Sequence, residues 1–511
     1  MPGELEGRGQ RGAHAAGADD ADGEPRGAVL EVWLVDCTHA TAAFPFQSAL
    51  GTGRFLVMLT LSGTAAAGCP QAVGYATPFR RAGRAGHERA GGRAEITVPS
   101  PVRRGMIRGM TDTAEQRTGQ DTGHVTGQDT EQAARERLRE RRTAAQLRAR
   151  RTLSRGGSAR TIRERLAELT EAADGVYDLD EPADVYGNRI VAALEERVAA
   201  LLGTEAAAFF PTGTMAQQVA MRCWAARTGD PAVALHPLAH PEVHERQAFS
   251  QVSGLRPVQV GEGRRLPTAA EIRDLEEPFG TLMLELPLRD AGFVLPTWEE
   301  LTEAVEAARE RDAVVHIDGA RLWECTEHFG RPLPEIAGLA DSVYVSFYKS
   351  LGGFGGAALA GPRTLVEEAK TWRHRYGGMI FQQFPTALSA LVGLDRELPR
   401  LPAYVRHARV VAAALREGFA AAGLPWARVH PEQPHTHQFQ VWLPYEPEVA
   451  AEAAVRQGEE TSVLLFANAW DAGGPGLAFT DVSVQAEALE WTADDVRAAV
   501  RDFVGRLPGR A

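Results

Sequence analysis

From about residue 160 the chain alternates short, largely apolar runs with segments of helical period. The runs are AAAFF (206–210), AVALH (232–236), RPVQV (256–260), TLMLEL (281–286), AVVHI (313–317), SVYVSF (342–347) and AALAG (357–361). Runs of this length and character suit strands covered on both faces. Between several of them lie amphipathic stretches such as PTWEELTEAVEAARERD (296–312). The alternation predicts an α/β domain over about 160–400, with a mainly parallel sheet and helices on both faces. A long helical segment, LPAYVRHARVVAAALREGFAAAG, opens at 401. HTHQFQVWLP, a helix, TSVLLF, GLAFTDVSV and a final helix follow it. These predict a smaller α+β domain over 401–511.

Residues 1 to about 150 break the pattern. Gly, Ala and Arg dominate segments such as RRAGRAGHERAGGRAE, and only AVLEVWLVD and RFLVMLTLSG are strand-like. Such composition cannot bury enough apolar surface to offset chain entropy, so disorder is expected over most of 1–150. A sharper expectation is that translation begins near Met106 or Met110, which the mass of the native N-terminus would decide. The basic run RERLRERRTAAQLRARR reads as a solvated helix or as a surface for an acidic partner.

Composition adds exclusions. Of 511 residues 44% are hydrophobic and the formal net charge is −12, which suits a globular protein and argues against general nucleic-acid binding. No apolar run approaches a membrane span, and the first residues are not a basic signal region. Cys37, Cys69, Cys223 and Cys325 have neither metal-ligand nor redox spacing. They read as free thiols of a cytoplasmic protein without a metal.

The cations carry a further signal. Lys and Arg total 55, yet only Lys349 and Lys370 are lysines. Guanidinium stays protonated, whereas a desolvated lysine amine can attack a carbonyl. Lys349 ends a strand and precedes SLGGFGG, so it is a candidate Schiff-base former as well as a possible surface lysine. Two other strand ends carry chemistry. After AAAFF, Thr212, Gly213 and Thr214 open a helix whose free N–H groups suit a phosphate; these residues equally suit a simple cap. After AVVHI comes Asp318, with Arg321 three places on. A buried carboxylate needs a partner, and a protonated pyridine nitrogen and Arg321 are both candidates. The order strand–glycines–strand after Lys349 does not fit a dinucleotide loop. Phosphate cradle, carboxylate and lysine, in that order, match the three handles of pyridoxal 5'-phosphate.

The motifs DVYG (184–187), TGTMAQQ (212–218), IDGARLW (317–323) and the Lys349 strand resemble those of the threonine aldolase and β-eliminating lyase family. These are pyridoxal-phosphate enzymes of fold type I. The resemblance implies that Lys349 carries the cofactor and that Asp318 pairs with its ring nitrogen. Gly213 and Thr214 bind the phosphate, with Ser346 also in the cofactor site. Arg321 reaches the phenolic oxygen or the substrate carboxylate. His240, in AHPEVHERQAFSQVSG (239–254), stacks on the ring and moves protons. His244 and Glu245 are nearer to solvated helix positions, with the cleft as the alternative for His244.

Three departures mark a divergent branch. Leu288 stands where the family has a histidine, Ile380 stands where a GGMR turn has its arginine, and GLAFTD offers no C-terminal arginine for the substrate carboxylate. The resemblance implies a lyase that cleaves the Cα–Cβ bond of a β-hydroxy amino acid to glycine and an aldehyde, working as a homodimer or homotetramer. The departures keep β-elimination, transamination and racemisation open, and a non-catalytic binding role is the alternative of another class.

Overall fold

The computed structural model describes residues 132–154 and 160–509 in full, and the backbone alone of 41–47, 54–60 and 127–131. Met106, Met110 and most of the stretch expected to be disordered lie outside the described residues. Within the first 116 residues, which form a unit of their own, the backbones of Thr41–Gln47 and Arg54–Thr60 pair as an antiparallel hairpin.

In the main unit all seven apolar runs become strands of one sheet. They are β1 (Ala206–Phe210), β2 (Ala232–Leu235), β3 (Arg256–Gln259), β4 (Thr281–Glu285), β5 (Val314–Gly319), β6 (Ser342–Ser346) and β7 (Ala357–Gly361). Their spatial order is β1-β7-β6-β5-β4-β2-β3. Every pairing is parallel except the two made by β7, which runs antiparallel to β1 and β6. Helices shield both faces, so every residue of β1, β2, β4, β6 and β7 is buried. The polar residues of RPVQV are explained by position: β3 is an edge strand with exposed Arg256 and Gln259. The amphipathic stretch after β4 forms the helix Trp298–Arg309. It starts on a reciprocal Thr297–Glu300 cap and buries Leu301, Ala304, Val305, Ala307 and Ala308.

The helix Leu401–Ala421 leads out of this core: Leu401 and Tyr404 pack in the first cluster, Ala408 and Val411 in a second. The second cluster lies under a four-stranded antiparallel sheet made by Arg428–His430, Gln438–Leu443, Leu477–Ser483 and Asp471–Gly474. The basic run is helical over Gly127–Arg148, and its acidic partner is internal. Arg141 reaches Glu452 at 2.8 Å and Glu459 at 2.7 Å on the helix Pro447–Thr461.

One buried ion pair ties the edge of the large sheet to its cover. Arg373 donates to Glu195 at 2.9 Å, both side chains are under a tenth exposed, and Glu195 also accepts the Phe209 N–H at 2.8 Å. Glu195→Ala leaves the guanidinium buried without its carboxylate. The expected loss is about 3–5 kcal/mol of unfolding free energy, measured by urea denaturation.

Candidate active site

Parallel strands bring their carboxyl ends to one edge, where loops can surround a ligand. Glu285, Asp318 and Tyr344 form a row across that edge, in register on β4, β5 and β6. Gly213 and Thr214 follow β1, His240 follows β2 and Lys349 follows β6. Of the residues singled out in the sequence, Gly213, Thr214, His240, Asp318 and Lys349 line one cavity of about 290 Å³. Gln217, Glu245, Tyr344 and Tyr348 complete much of its wall. A neighbouring cavity of about 530 Å³ shares Tyr348, Lys349 and Phe354 with it.

Each wall residue is placed by a local cause. Thr212 caps the helix Gly213–Thr228 by accepting the Met215 N–H at 3.2 Å, and the first residues of that helix, Gly213 and Thr214, line the cavity. A side chain at Gly213 would collide with the Tyr344 hydroxyl, so glycine is required there. Asp318 is 2% exposed and accepts the Ala320 N–H at 3.1 Å. Gly356, at φ +82°, turns the chain after Lys349 into β7 where a Cβ would strike the Phe209 ring.

The electrostatics set protonation. Burial, with Arg321 close by, lowers the Lys349 ammonium to about 8 against the pull of Asp318 and Glu285. Burial pushes the Asp318 carboxyl above its ordinary value, against Lys349 and His240. Burial likewise raises Glu285 to about 7, reinforced by Asp318. Glu285 accepts the backbone N–H of His240 at 2.8 Å and of Arg289 at 3.2 Å, and so joins two loops at the rim. Burial lowers the His240 imidazole, but Glu245, 3.4 Å from Nδ1, outweighs it together with Asp318, and the ring ends above its ordinary value.

Two expectations meet a different geometry. Glu245 is buried at 8% exposure beside His240, not on a solvated face. The helix His240–Val243 ends before Glu245, and Arg246 and Gln247 follow with φ of 51° and 60°, so Glu245 sits in a turn and not on a helix face. Ser346 is fully buried, donates to the Ala320 carbonyl at 2.7 Å and lies off the cavity wall, where it braces the Asp318 loop instead. Arg321 lies beside the cavity, close enough for its charge to act on Lys349, with its guanidinium 5.1 Å over the Phe293 ring and its Nε buried with no partner among the described residues.

The departures also take shape. Leu288 is buried at 1% exposure, so no imidazole occupies that place. Beside it Arg289 pairs with Asp290 at 2.6 Å and with Asp481 at 2.7 Å, and His244 meets Asp290 at 2.8 Å. Sequence reasoning passed over Arg289, although its charge acts on Lys349. Asp481 belongs to the GLAFTD segment, which supplies a carboxylate for Arg289 where an arginine was sought.

The sequence profile of beta-eliminating lyases matches residues 158–441, more than half of the chain. The chain belongs to the beta-eliminating lyase family. A low-specificity L-threonine aldolase of Escherichia coli K12 is 33% identical over 244 residues, 46% of this chain and 72% of the relative. An alanine racemase of Cochliobolus carbonum is 30% identical over 42% of this chain and 58% of its own length. A crystal structure from Listeria monocytogenes, provisionally titled an L-allo-threonine aldolase, is 32% identical with a TM-score of 0.66. It covers 72% of this chain and all of its own.

As a beta-eliminating lyase family member of fold type I, the protein is a pyridoxal-phosphate enzyme. The residues present fit that cofactor. A helix N-terminus, a buried carboxylate and a lysine with a depressed pKa converge on one cavity. Buried nitrogens of Gln217 and Arg321 have no partner among the described residues. Among those residues no group of side chains could hold a metal ion, and no helix is long and apolar enough to cross a membrane.

The lowered Lys349 value gives a pH prediction. The free amine is the reactive form, so lowering its pKa makes more of it available at neutral pH. With a value of about 8, about one amine in ten is free at pH 7, against about one in three thousand for an unshifted lysine. Capture of pyridoxal phosphate by apo-protein should therefore accelerate up to about pH 8 and level off above it. Stopped-flow absorbance checks this; acceleration continuing past pH 10 would show an unshifted amine.

Proposed function

We propose that the protein cleaves the Cα–Cβ bond of a β-hydroxy amino acid, giving glycine and an aldehyde, in the manner of a threonine aldolase. The observation that carries this reading is the placement of Lys349, Asp318 and a carboxylate-supported His240 around one cavity. When bound, pyridoxal phosphate supplies an aldehyde that takes the substrate amine and a cationic ring that withdraws electrons from the breaking bond.

The residues divide the remaining work. Gly213 and Thr214 hold the phosphate at the helix N-terminus. Asp318 holds a proton on the ring nitrogen. Lys349 would attach the cofactor through its amine. His240 covers the ring and takes the proton from the β-hydroxyl, its basicity raised by Glu245. Arg321 grips the substrate carboxylate and so fixes which bond stands perpendicular to the ring.

A second reading is racemisation or β-elimination at the same site. Leu288 favours it, because an imidazole there would have been a natural acceptor for the hydroxyl proton, and one relative is an alanine racemase. Purified enzyme incubated with L-threonine and L-allo-threonine should release acetaldehyde. Its absence from both isomers overturns the aldolase reading; pyruvate from L-serine or D-alanine from L-alanine would establish the second.

The reading includes a cytoplasmic, homo-oligomeric enzyme acting on free amino acids. Tyr186 and Phe381 are over half exposed, stack edge-on at 5.5 Å, and are flanked by exposed Val185, Ile380 and Phe384. An apolar patch of this kind supports burial against a second copy. Light scattering that returns the monomer mass at micromolar concentration would remove the oligomer from the reading.

A further inference from the structure

Behind the cavity wall lies a hydrogen-bonded chain of four side chains. Trp224 Nε1 donates to Ser342 Oγ at 2.8 Å, Ser342 Oγ meets His316 Nδ1 at 2.7 Å, and His316 Nε2 meets Gln217 Oε1 at 2.8 Å. Ser342 and Gln217 are 1% exposed and His316 is wholly buried, so these contacts are closed to bulk solvent.

The chain has one direction. An indole can only donate. Ser342 therefore accepts from Trp224, and its own hydrogen has no acceptor among the described residues other than His316 Nδ1. With Nδ1 accepting, the neutral imidazole carries its hydrogen on Nε2 and donates it to the Gln217 carbonyl oxygen. Burial keeps His316 neutral, with its pKa lowered to about 3. The amide of Gln217 is thus fixed with its oxygen toward His316 and its nitrogen turned away. That nitrogen is buried and has no partner among the described residues, and Gln217 lies on the same wall as Gly213, Thr214, Asp318 and Lys349.

A buried donor without an acceptor is costly, and a cavity that binds an anionic, oxygen-rich ligand is the place where such a donor finds one. We propose that Gln217 donates a hydrogen bond to an oxygen of bound pyridoxal phosphate, and that the Trp224–Ser342–His316 chain locks its amide in the donating orientation. Gln217 is then a cofactor ligand; Ser342 and His316 are positioning residues. The proposal rests on the family's cofactor and not on which bond the enzyme breaks, so it survives failure of the aldolase reading.

The neighbouring Gln218 supplies a control. It is also buried, its nitrogen also has no partner among the described residues, and it lies off the cavity wall with its oxygen taken by Ser253 at 2.7 Å. Apo-protein is titrated with pyridoxal phosphate by absorbance, and the melting temperature is read with and without cofactor. Gln217→Leu should raise the cofactor Kd about tenfold and shrink the cofactor-induced rise in melting temperature. Ser342→Ala should weaken cofactor binding in the same direction and less. Gln218→Leu should change the apo melting temperature and leave Kd as it was.

A folded Gln217→Leu variant with wild-type Kd overturns the proposal, as does an equal loss of affinity in Gln218→Leu. Should Gln217→Leu not fold, Ser342→Ala decides, since it keeps Gln217 and breaks only the lock. Wild-type affinity in that variant overturns the proposal.

Discussion

Lys349→Ala is expected to fold, to lose pyridoxal phosphate on gel filtration, and to turn over substrate at least about 10³-fold more slowly than the parent enzyme. Borohydride reduction of the parent holoenzyme should add the mass of the reduced cofactor to the peptide bearing residue 349. The chain contains its own control. Lys370, the other lysine, sits on the helix Arg363–Arg375 with its amine 3.2 Å from Glu195 and 3.4 Å from Glu367. It is held in these ion pairs and lies off the cavity wall, so it should stay unlabelled. Lys349 differs in environment: it is half-buried on the cavity wall near Arg321 and Arg289, and its ammonium form is disfavoured. Label on Lys370, or on neither lysine, would remove the basis of the proposed chemistry. Lys349→Arg sharpens the test, because it retains a cation and removes a nucleophile; it should be as inactive as the alanine variant.

Most of the strands were legible because they are uninterrupted apolar runs that the fold covers on both faces; burial from two sides leaves no alternation to confuse with a helix, and only the edge strand β3 departs from this. Lys349 was legible because its type is rare in this chain, and Asp318 because a carboxylate closing an apolar run demands a partner. What escaped notice depends on contacts across sequence. Glu285 looks like one more charge in LELPL until its oxygens receive N–H groups from His240, 45 residues earlier, and from Arg289. Arg289 gains meaning only from Asp481, 192 residues later. Glu245 was misassigned because helical period holds only within a helix, and the helix His240–Val243 ends before Glu245, in a turn that continues through two residues with positive φ. The DVYG motif shows the opposite limit. It marks the family, yet its buried Asp184 accepts the N–H groups of Gln383 and Phe384 at 2.8–3.0 Å and so anchors the start of the helix Phe384–Arg396. A motif can therefore identify a family through a residue whose work is structural.

Asp318→Asn separates holding the cofactor from activating it. The amide keeps the size of the carboxylate and can still accept the Ala320 N–H, so the loop after β5 should persist. Lys349 and the helix N-terminus are untouched, so the cofactor should still attach. What is lost is the negative charge. Burial alone disfavours a carboxylate at this position, and Lys349 and His240 only partly offset it. A protonated ring nitrogen brought against Asp318 would complete the compensation, and in return the carboxylate would hold that proton in place. An amide cannot do this, and the neutral ring withdraws electrons weakly. The expected result is a kcat lower by about 10²- to 10⁴-fold with KM changed far less, because the interaction matters most once charge develops on the substrate. Borohydride labelling of Lys349 should remain as in the parent. Labelling lost together with activity would mean that Asp318 holds the site together and does not act on the ring. Parental kcat with the amide in place would mean that the ring nitrogen needs no proton here, and the electron-withdrawing role assigned to Asp318 would fall.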